Sequence, residues 1–224
     1  LGMSAFSVVF IVSALLEVPT GVFSDRIGRK NTIIIGSCIS FLSELCLAIT
    51  HSYGLLLLAA ILAGVARSFF SGNNEAFLYE TLKERGKEKE FHTYLGKTSS
   101  VFQIALAISA LTGGFLAQIS FRLVFWVSVL PKIIMVLIGF FLLEPAVHSQ
   151  KSGNIYAHLA ESFRQFKINS KLRVLTIASA ASFAVSESAY QFRSVFISLL
   201  WPVWALGILS TLGNIGAAIS FYIS

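Results

Sequence analysis

Charged residues are scarce in this chain of 224 residues, since Asp, Glu, Lys and Arg together make up 12% of it. Soluble domains carry about 25%. Hydrophobic residues make up 55%, which indicates an integral membrane protein. Catalytic signatures are missing too: there is no His-Glu-x-x-His, no Gly-x-Ser-x-Gly and no phosphate-binding Gly-x-x-x-x-Gly-Lys-Ser/Thr loop. We therefore expect no catalytic residues, no enzyme, no ATP-driven pump and no cofactor.

Cysteine is limited to Cys38 and Cys46, which lie eight residues apart in one apolar run. A helix separates such Cα atoms by about 12 Å, whereas a disulfide needs less than about 7 Å. The four histidines fall in polar connections. The sequence therefore predicts no disulfide, no metal site and no histidine within the membrane.

Long apolar stretches are what the chain does contain. A membrane span needs about 20 such residues, and the sequence predicts seven spans with no separate soluble domain. They cover residues 4–23, 31–50, 54–80, 97–118, 122–143, 172–198 and 203–224.

Positive charge falls almost wholly on alternate connections. Of 17 Lys and Arg, thirteen lie in or directly beside the connections after the first, third and fifth spans, three lie deeper within spans, and only Arg122 lies beside a connection on the other side. Lys and Arg are retained on the cytoplasmic side. We therefore expect the first residue outside and the last inside. The net charge of +6 then reflects topology rather than nucleic-acid binding.

The first connection carries a compact charged motif between two apolar flanks. Its residues are Gly21, Asp25, Arg26, Gly28, Arg29 and Lys30. The pattern Gly, then Asp-Arg-x-Gly-Arg-Lys, resembles the signature loop of the major facilitator superfamily of membrane transporters. The resemblance implies an all-α fold of two six-helix bundles, in which this loop is a conformational gate that does not touch substrate.

The resemblance also implies a register for the chain. The family's loop follows its second helix, whereas here it follows the first predicted span, so the chain corresponds to helices two to eight of twelve. Residues 1–144 would form the N-terminal bundle without its first helix, residues 145–171 the cytoplasmic linker, and residues 172–224 the first two helices of the C-terminal bundle. Apolar residues at helical spacing predict an amphipathic helix in the linker: Ile155, Leu159, Phe163 and Phe166.

Seven spans with the start outside also fit a seven-helix receptor or retinal protein. The third span lacks an Asp/Glu-Arg-Tyr end, and the seventh lacks both Asn-Pro-x-x-Tyr and a lysine for a Schiff base. These absences count against that alternative.

Polar residues in the third span are candidates for the substrate or proton pathway. Arg67, Ser71 and Asn74 share a helical face if the span is one continuous helix. A charge at the bilayer centre costs about 2.5 to 3.5 kcal/mol, so Arg67 should not face lipid. Arg67 to Gly72 resembles the family's Arg-x-x-x-Gly element, with one extra residue. The alternative is a structural Arg67 paired with Glu44 or Glu17, whereas Glu75 is expected to pair with Arg29 in the gate.

The sixth span carries a second polar stripe, formed by Glu187, Tyr190 and Gln191. A carboxylate within a membrane span is removed from water, and such a group is suited to take up and release protons. For Glu17 and Glu44, structural pairing and proton handling stay equally open. Lys132, after Pro131, receives no role.

Small residues recur every one to four positions along the fourth span: Ala105, Ser109, Ala110, Gly113 and Gly114. They resemble the family's antiporter element Gly-x-x-x-Gly-Pro-x-x-Gly-Gly, of which only the last two glycines are intact. The alternative is a face for close helix packing.

The combined prediction is a secondary active transporter in the bacterial plasma membrane, a monomer when complete, that exports a drug or metabolite in exchange for protons by alternating access. The alternatives are an uptake carrier for a sugar or other metabolite, and a non-transporting sensor with the same fold.

Overall fold

The computed structural model describes residues 2–146 and 164–223, apart from a few side chains, and no strand occurs among them. Its helices are α1 (Gly2–Ile27), α2 (Arg29–Ala48), α3 (Tyr53–Phe70), α4 (Asn73–Glu84), α5 (Phe91–Ile119), α6 (Phe121–Phe141), α7 (Ser170–Ser198) and α8 (Val203–Ile223), with a 3₁₀ turn at Glu88–Glu90. The predicted linker helix lies mostly outside the described residues.

Six stretches of the described chain are long and apolar enough to cross a membrane, and α3 and α4 count together as one of them, Tyr53–Glu84. The sixth predicted span is present as α7, which has 29 residues. It is not among the six, since its many serines, together with Lys171, Arg173, Glu187 and Arg193, make it less apolar than the other long helices. The predicted all-α membrane architecture is confirmed.

The charged connection after the first span is much shorter than the sequence suggested. Helix α1 continues to Ile27 and α2 begins at Arg29, so Gly28 alone separates them. Its φ of 92° lies in a region that favours glycine and reverses the chain at once. The charged residues therefore extend both helices beyond their apolar parts.

The third predicted span is broken where it was expected to be continuous. Helix α3 ends at Phe70, Gly72 adopts a φ of 69°, and α4 begins at Asn73. A change of direction at a glycine with positive φ ends the count of 100° per residue. Arg67 and Ser71 face α1, whereas Asn74 and Glu75 line a groove that reaches Leu95 on α5. The prediction that Asn74 shares a face with Arg67 was wrong.

Small side chains form the interior of the first helices. Helices α1 and α2 pack against α3, and α6 packs against α2. Gly64 lies against the backbone of Val9, and Gly36 against the Cβ of Phe69 and the ring of Phe70. Large apolar side chains point outward; Phe141, for example, is 84% exposed. Lipid does not drive helices together, so close backbone approach at small residues must hold them.

Helix α5 packs lengthwise against α8, in antiparallel order. The Thr211 hydroxyl donates to the Ala107 carbonyl at 3.0 Å, and Ser100 donates to Ala218 at 2.9 Å. At Gly207, an added Cβ would lie 2.6 Å from the Ala110 carbonyl oxygen and 3.1 Å from the Gly114 Cα. Ala110 and Gly114, from the element that resembled the antiporter motif, therefore serve in packing. At Gly113 an added Cβ would meet nothing within 4 Å.

Helix α7 packs mainly against α8 and leaves most of its described side chains exposed. Because α8 packs on α5, the predicted division into bundles is not visible as a gap between the described helices. That division stays a prediction.

Gly207→Ala should destabilise the chain because the new methyl group would be forced into the Ala110 carbonyl. We expect a loss of about 1 to 3 kcal/mol, measured as a lower melting temperature in detergent micelles. Gly213→Ala is the matched control on the same helix, since its Cβ would meet nothing within 4 Å. Equal melting temperatures for the two variants would contradict the packing described for α5 and α8.

Candidate functional site

The Arg29 side chain joins three helices at the end of the bundle that carries the charged motif. Its guanidinium lies 3.0 Å from the Asp25 carboxylate at the end of α1 and 3.2 Å from the Glu80 carboxylate on α4. It also donates to the Ser24 hydroxyl at 3.0 Å. The Arg29 and Glu80 side chains are only 15% and 16% exposed, whereas Asp25 is 59% exposed. The pair with Glu80 is thus the less solvated of the two and should be the stronger.

Glu80 rather than Glu75 is the partner of Arg29 on α4. Glu75 was expected in this role because it lies toward the charged end of the third predicted span. Glu80, about one and a half turns further along α4, is the residue that reaches Arg29. Glu75 is exposed and lines a groove of about 380 Å³. The cluster around Arg29 therefore includes Glu80, which the sequence analysis missed.

The other residues of the motif take different positions. Asp25 pairs with Arg29 as expected. An added Cβ at Gly21 would meet nothing within 4 Å, so the close helix approach expected there is absent among the described residues. Arg26 is exposed. Lys30 donates its backbone amide to the Glu144 carboxylate at 2.7 Å.

Gly28 reverses the chain between α1 and α2 and also allows a carboxylate to approach its backbone closely. An added Cβ at Gly28 would lie 2.6 Å from the carboxylate of Glu144. This carboxylate accepts the backbone amides of both Arg29 and Lys30 at 2.7 Å, and so caps the start of α2. Glu144 follows α6 and was not predicted, because its partners Arg29 and Lys30 lie far from it in the sequence.

A stripe of polar side chains on α1 holds the broken helix in place. The Thr20 hydroxyl donates to the Ser68 carbonyl at 2.9 Å, near the end of α3. Ser24 donates to the Asn73 side chain at 2.6 Å, at the start of α4. A helix break within a membrane leaves backbone groups that must find partners in the protein. Thr20 and Ser24 supply partners on the two sides of this break.

The same stripe reaches the membrane interior at Glu17. Its carboxylate accepts a hydrogen bond of 2.6 Å from Ser71, the residue that ends α3. At the other end of the stripe, the partner of Ser24, Asn73, also donates its side-chain amide to the Arg29 carbonyl at 3.3 Å. Hydrogen bonds thus join both sides of the break to α1, and join the start of α4 to Arg29.

Arg67 lies beside an aromatic ring rather than an acid. Its guanidinium carbon is 4.7 Å from the centre of the Phe10 ring on α1. Neither Glu17 nor Glu44 pairs with it among the described contacts, so the structural pairing considered for Arg67 is not seen. A cation over an aromatic face is stabilised by the ring quadrupole, but the charge is not neutralised.

The second polar stripe lies apart from Arg67. Glu187 is half-buried on α7 and Tyr190 is 65% exposed, whereas the side chain of Gln191 is outside the described part of the chain. Helix α7 packs mainly against α8, and α3 packs against α1 and α2. The two sets of predicted pathway residues are therefore not brought together by the described helices.

Lys132 gains a partner that the sequence did not suggest. Its ammonium donates to the Ser40 hydroxyl at 2.9 Å, across the contact between α6 and α2. Both side chains face the interior of the helix bundle, which gives the charge an alternative to lipid. The contact supports a structural role for Lys132.

Comparison with known proteins agrees with this architecture. The family model described as Major Facilitator Superfamily matches residues 1–224. The chain therefore belongs to the major facilitator superfamily and is an integral membrane protein. This assignment agrees with the expectation that it is not an enzyme.

Individual relatives are drug-resistance and transport proteins. The chain is 29% identical to Multidrug resistance protein 2 of Bacillus subtilis over 68% of its own length and 38% of that protein. It is 24% identical to Quinolone resistance protein NorA of Staphylococcus aureus over 84% of its length and 48% of that protein. An uncharacterized transporter of Buchnera aphidicola is 31% identical over 58% of the chain and 32% of the relative. The chain thus spans less than half the length of each of these relatives.

Glu80→Gln should weaken the contact between α2 and α4, because Arg29 loses its least solvated charged partner. We expect a loss of about 1 to 3 kcal/mol, measured as a lower melting temperature in micelles. Glu75→Gln removes an exposed carboxylate five residues earlier on the same helix and should change stability by less than about 0.5 kcal/mol. A larger effect at Glu75 than at Glu80 would contradict the assigned pairing.

Proposed function

We propose that the chain contributes its helices to a secondary active transporter that exports small drug-like molecules in exchange for protons. The proposal concerns the complete transporter, since the relatives are more than twice as long as the matched part. Its main support is Arg67, an exposed cation within a candidate membrane span, with an aromatic neighbour and no acidic partner among the described residues.

An unneutralised guanidinium inside a membrane favours a ligand that brings negative charge. Its insertion costs about 2.5 to 3.5 kcal/mol, and an anionic or zwitterionic group bound to it would recover part of that cost. The Phe10 ring beside Arg67 offers an apolar face to an aromatic molecule. An aromatic zwitterion therefore suits this pair of side chains, and the printed names of the relatives refer to resistance to drugs and to quinolones.

Two carboxylates are candidate proton carriers in this proposal. Glu17 is bonded to Ser71 at the helix break, and Glu187 lies half-buried on α7. The proposed pathway also includes Ser71, Asn74, Tyr190 and Gln191. In this structure Asn74 lines a groove apart from Arg67, and among the described residues the stripe on α7 does not pack against α3. With no phosphate-binding loop in this sequence, the proposal takes its energy from an ion gradient, the alternative being the substrate's own gradient.

Alternating access requires a contact that holds one state and releases in the other. We assign this role to the gate formed by Asp25, Arg29 and Glu80, supported by their short distances and partial burial. The polar stripe on α1 connects this gate to Glu17. A change at the Glu17 carboxylate would thereby reach the gate through α1 and the broken helix.

The proposed setting is the bacterial plasma membrane, with a monomeric transporter whose gate faces the cytoplasm. The orientation rests on the distribution of Lys and Arg. No nucleic acid enters this proposal.

Arg67→Ala should slow export of a zwitterionic fluoroquinolone at least about tenfold, because hydrogen bonds to charged groups contribute about 1.5 to 3 kcal/mol. Counterflow in proteoliposomes of the complete transporter measures the rate, and Arg122→Ala, on the opposite side from the gate, is the matched control. Binding without counterflow in the unaltered protein would favour the sensor. Movement of the drug in the same direction as the protons, instead of the opposite direction, would favour uptake.

Orientation can be tested with single cysteines after Cys38 and Cys46 are replaced by serine. A membrane-impermeant maleimide added to intact cells should label His51→Cys and leave Glu88→Cys unlabelled until the membrane is permeabilised. Both positions are exposed in the structure, so burial does not distinguish them. The reverse labelling pattern would overturn the proposed orientation.

A further inference from the structure

The segment that follows α6 contacts both helices that carry the gate pair. We propose that residues 142–146 act as a strap between the start of α2 and the end of α4, and that Glu144 is a positioning residue of the gate. The meaning given to the gate rests on the proposed function, whereas the contacts of the strap do not.

The start of α2 needs acceptors that its own sequence does not supply. The first amides of a helix have no partner within the helix, and the residue before α2 is Gly28, which has no side chain to offer. Glu144 fills this need with both carboxylate oxygens: Oε1 accepts the Arg29 amide and Oε2 the Lys30 amide, each at 2.7 Å. A negative charge there also interacts favourably with the helix dipole.

Gly28 leaves just the space that the carboxylate occupies. A Cβ at this position would lie 2.6 Å from Oε1 and 2.9 Å from Oε2 of Glu144. The glycine of the charged motif therefore has a second task besides its φ of 92°. It admits a carboxylate from a distant part of the chain.

The strap is tied a second time, to the end of α4. The backbone amide of Ala146 donates to the Glu84 carboxylate at 3.3 Å, and Pro145 between the two ties is buried. Glu84 is one helical turn beyond Glu80 on α4. The strap thus holds the backbone of Arg29 at one end and the helix of Glu80 at the other.

This arrangement links the chain after α6 to the geometry of the gate. Arg29 and Glu80 meet only if the start of α2 and the end of α4 keep their relative positions. Displacement of residues 142–146 would remove the cap from α2 and release α4 at the same time. The strap therefore couples movement of the connection between the predicted bundles to the state of the gate.

Amide hydrogen exchange in micelles tests the cap directly. In Glu144→Ala, the amides of Arg29 and Lys30 should exchange about tenfold faster, in line with the loss of a helix cap. Glu144→Gln keeps one acceptor and should fall between this variant and the unaltered chain. Glu90→Ala, which removes an exposed carboxylate whose described partner is Lys87, should leave both amides unchanged. Unchanged exchange in Glu144→Ala would overturn the proposal.

Positioning of the gate is tested by the coupling between Arg29 and Glu80. A double-mutant cycle with Arg29→Gln and Glu80→Gln, read from melting curves, gives this coupling in the unaltered chain and in Glu144→Asp. The aspartate keeps the charge but withdraws it by about 1.5 Å, so the variant should still fold. We expect the equilibrium constant for the coupling to fall about threefold or more. A fully retained coupling would mean that Glu144 only caps α2, and would overturn its positioning role.

Both measurements are independent of transport. A complete transporter without counterflow would count against the proposed function and leave the strap in place. Conversely, retained coupling together with drug export would reject the strap and leave the proposed function.

Discussion

The contact between Arg29 and Glu80 holds α2 and α4 together, and the arrangement of helices at the proposed cytoplasmic end of the bundle depends on it. It joins α2 to α4, while Asp25 and Ser24 bring α1 to the same guanidinium. The three helices have few large buried side chains near this point, and Thr32 and Ser24 are among the most buried residues of the described chain. Close packing of small residues defines the distances between helices, and the guanidinium with its fixed fork of donors defines their register.

The broken third span follows from the same requirement that buried polar groups find partners. A break in a membrane helix is tolerated where neighbouring helices satisfy the freed backbone. On α1, Thr20 bonds the Ser68 carbonyl, and Ser24 holds the Asn73 side chain at the start of α4. Helix α4 in turn carries Glu80, which contacts Arg29. Packing, the break and the Arg29 contacts are thus one connected set of interactions, which extends along α1 as far as Glu17.

Hydropathy and charge predicted the architecture because they report what lipid and water demand of each stretch. They did not reveal the single-residue turn at Gly28, since a helix can continue through charged residues beyond its apolar part. Counting residues around a helix failed at Gly72, which is why Asn74 was expected on the face of Arg67. Glu144 could not be found from its neighbours in sequence, because its partners lie more than a hundred residues away. Only the family resemblance gave the motif its role as a gate.

The turn at Gly28 determines how motion can pass between α1 and α2. Two long helices separated by one residue share a connection with only two soft dihedral angles, and the Glu144 carboxylate occupies the space beside it. A change in the angle between α1 and α2 must therefore turn about the φ and ψ of Gly28. The Glu144 carboxylate lies against this pivot, so the end of α6 is placed where the angle of the hairpin is determined.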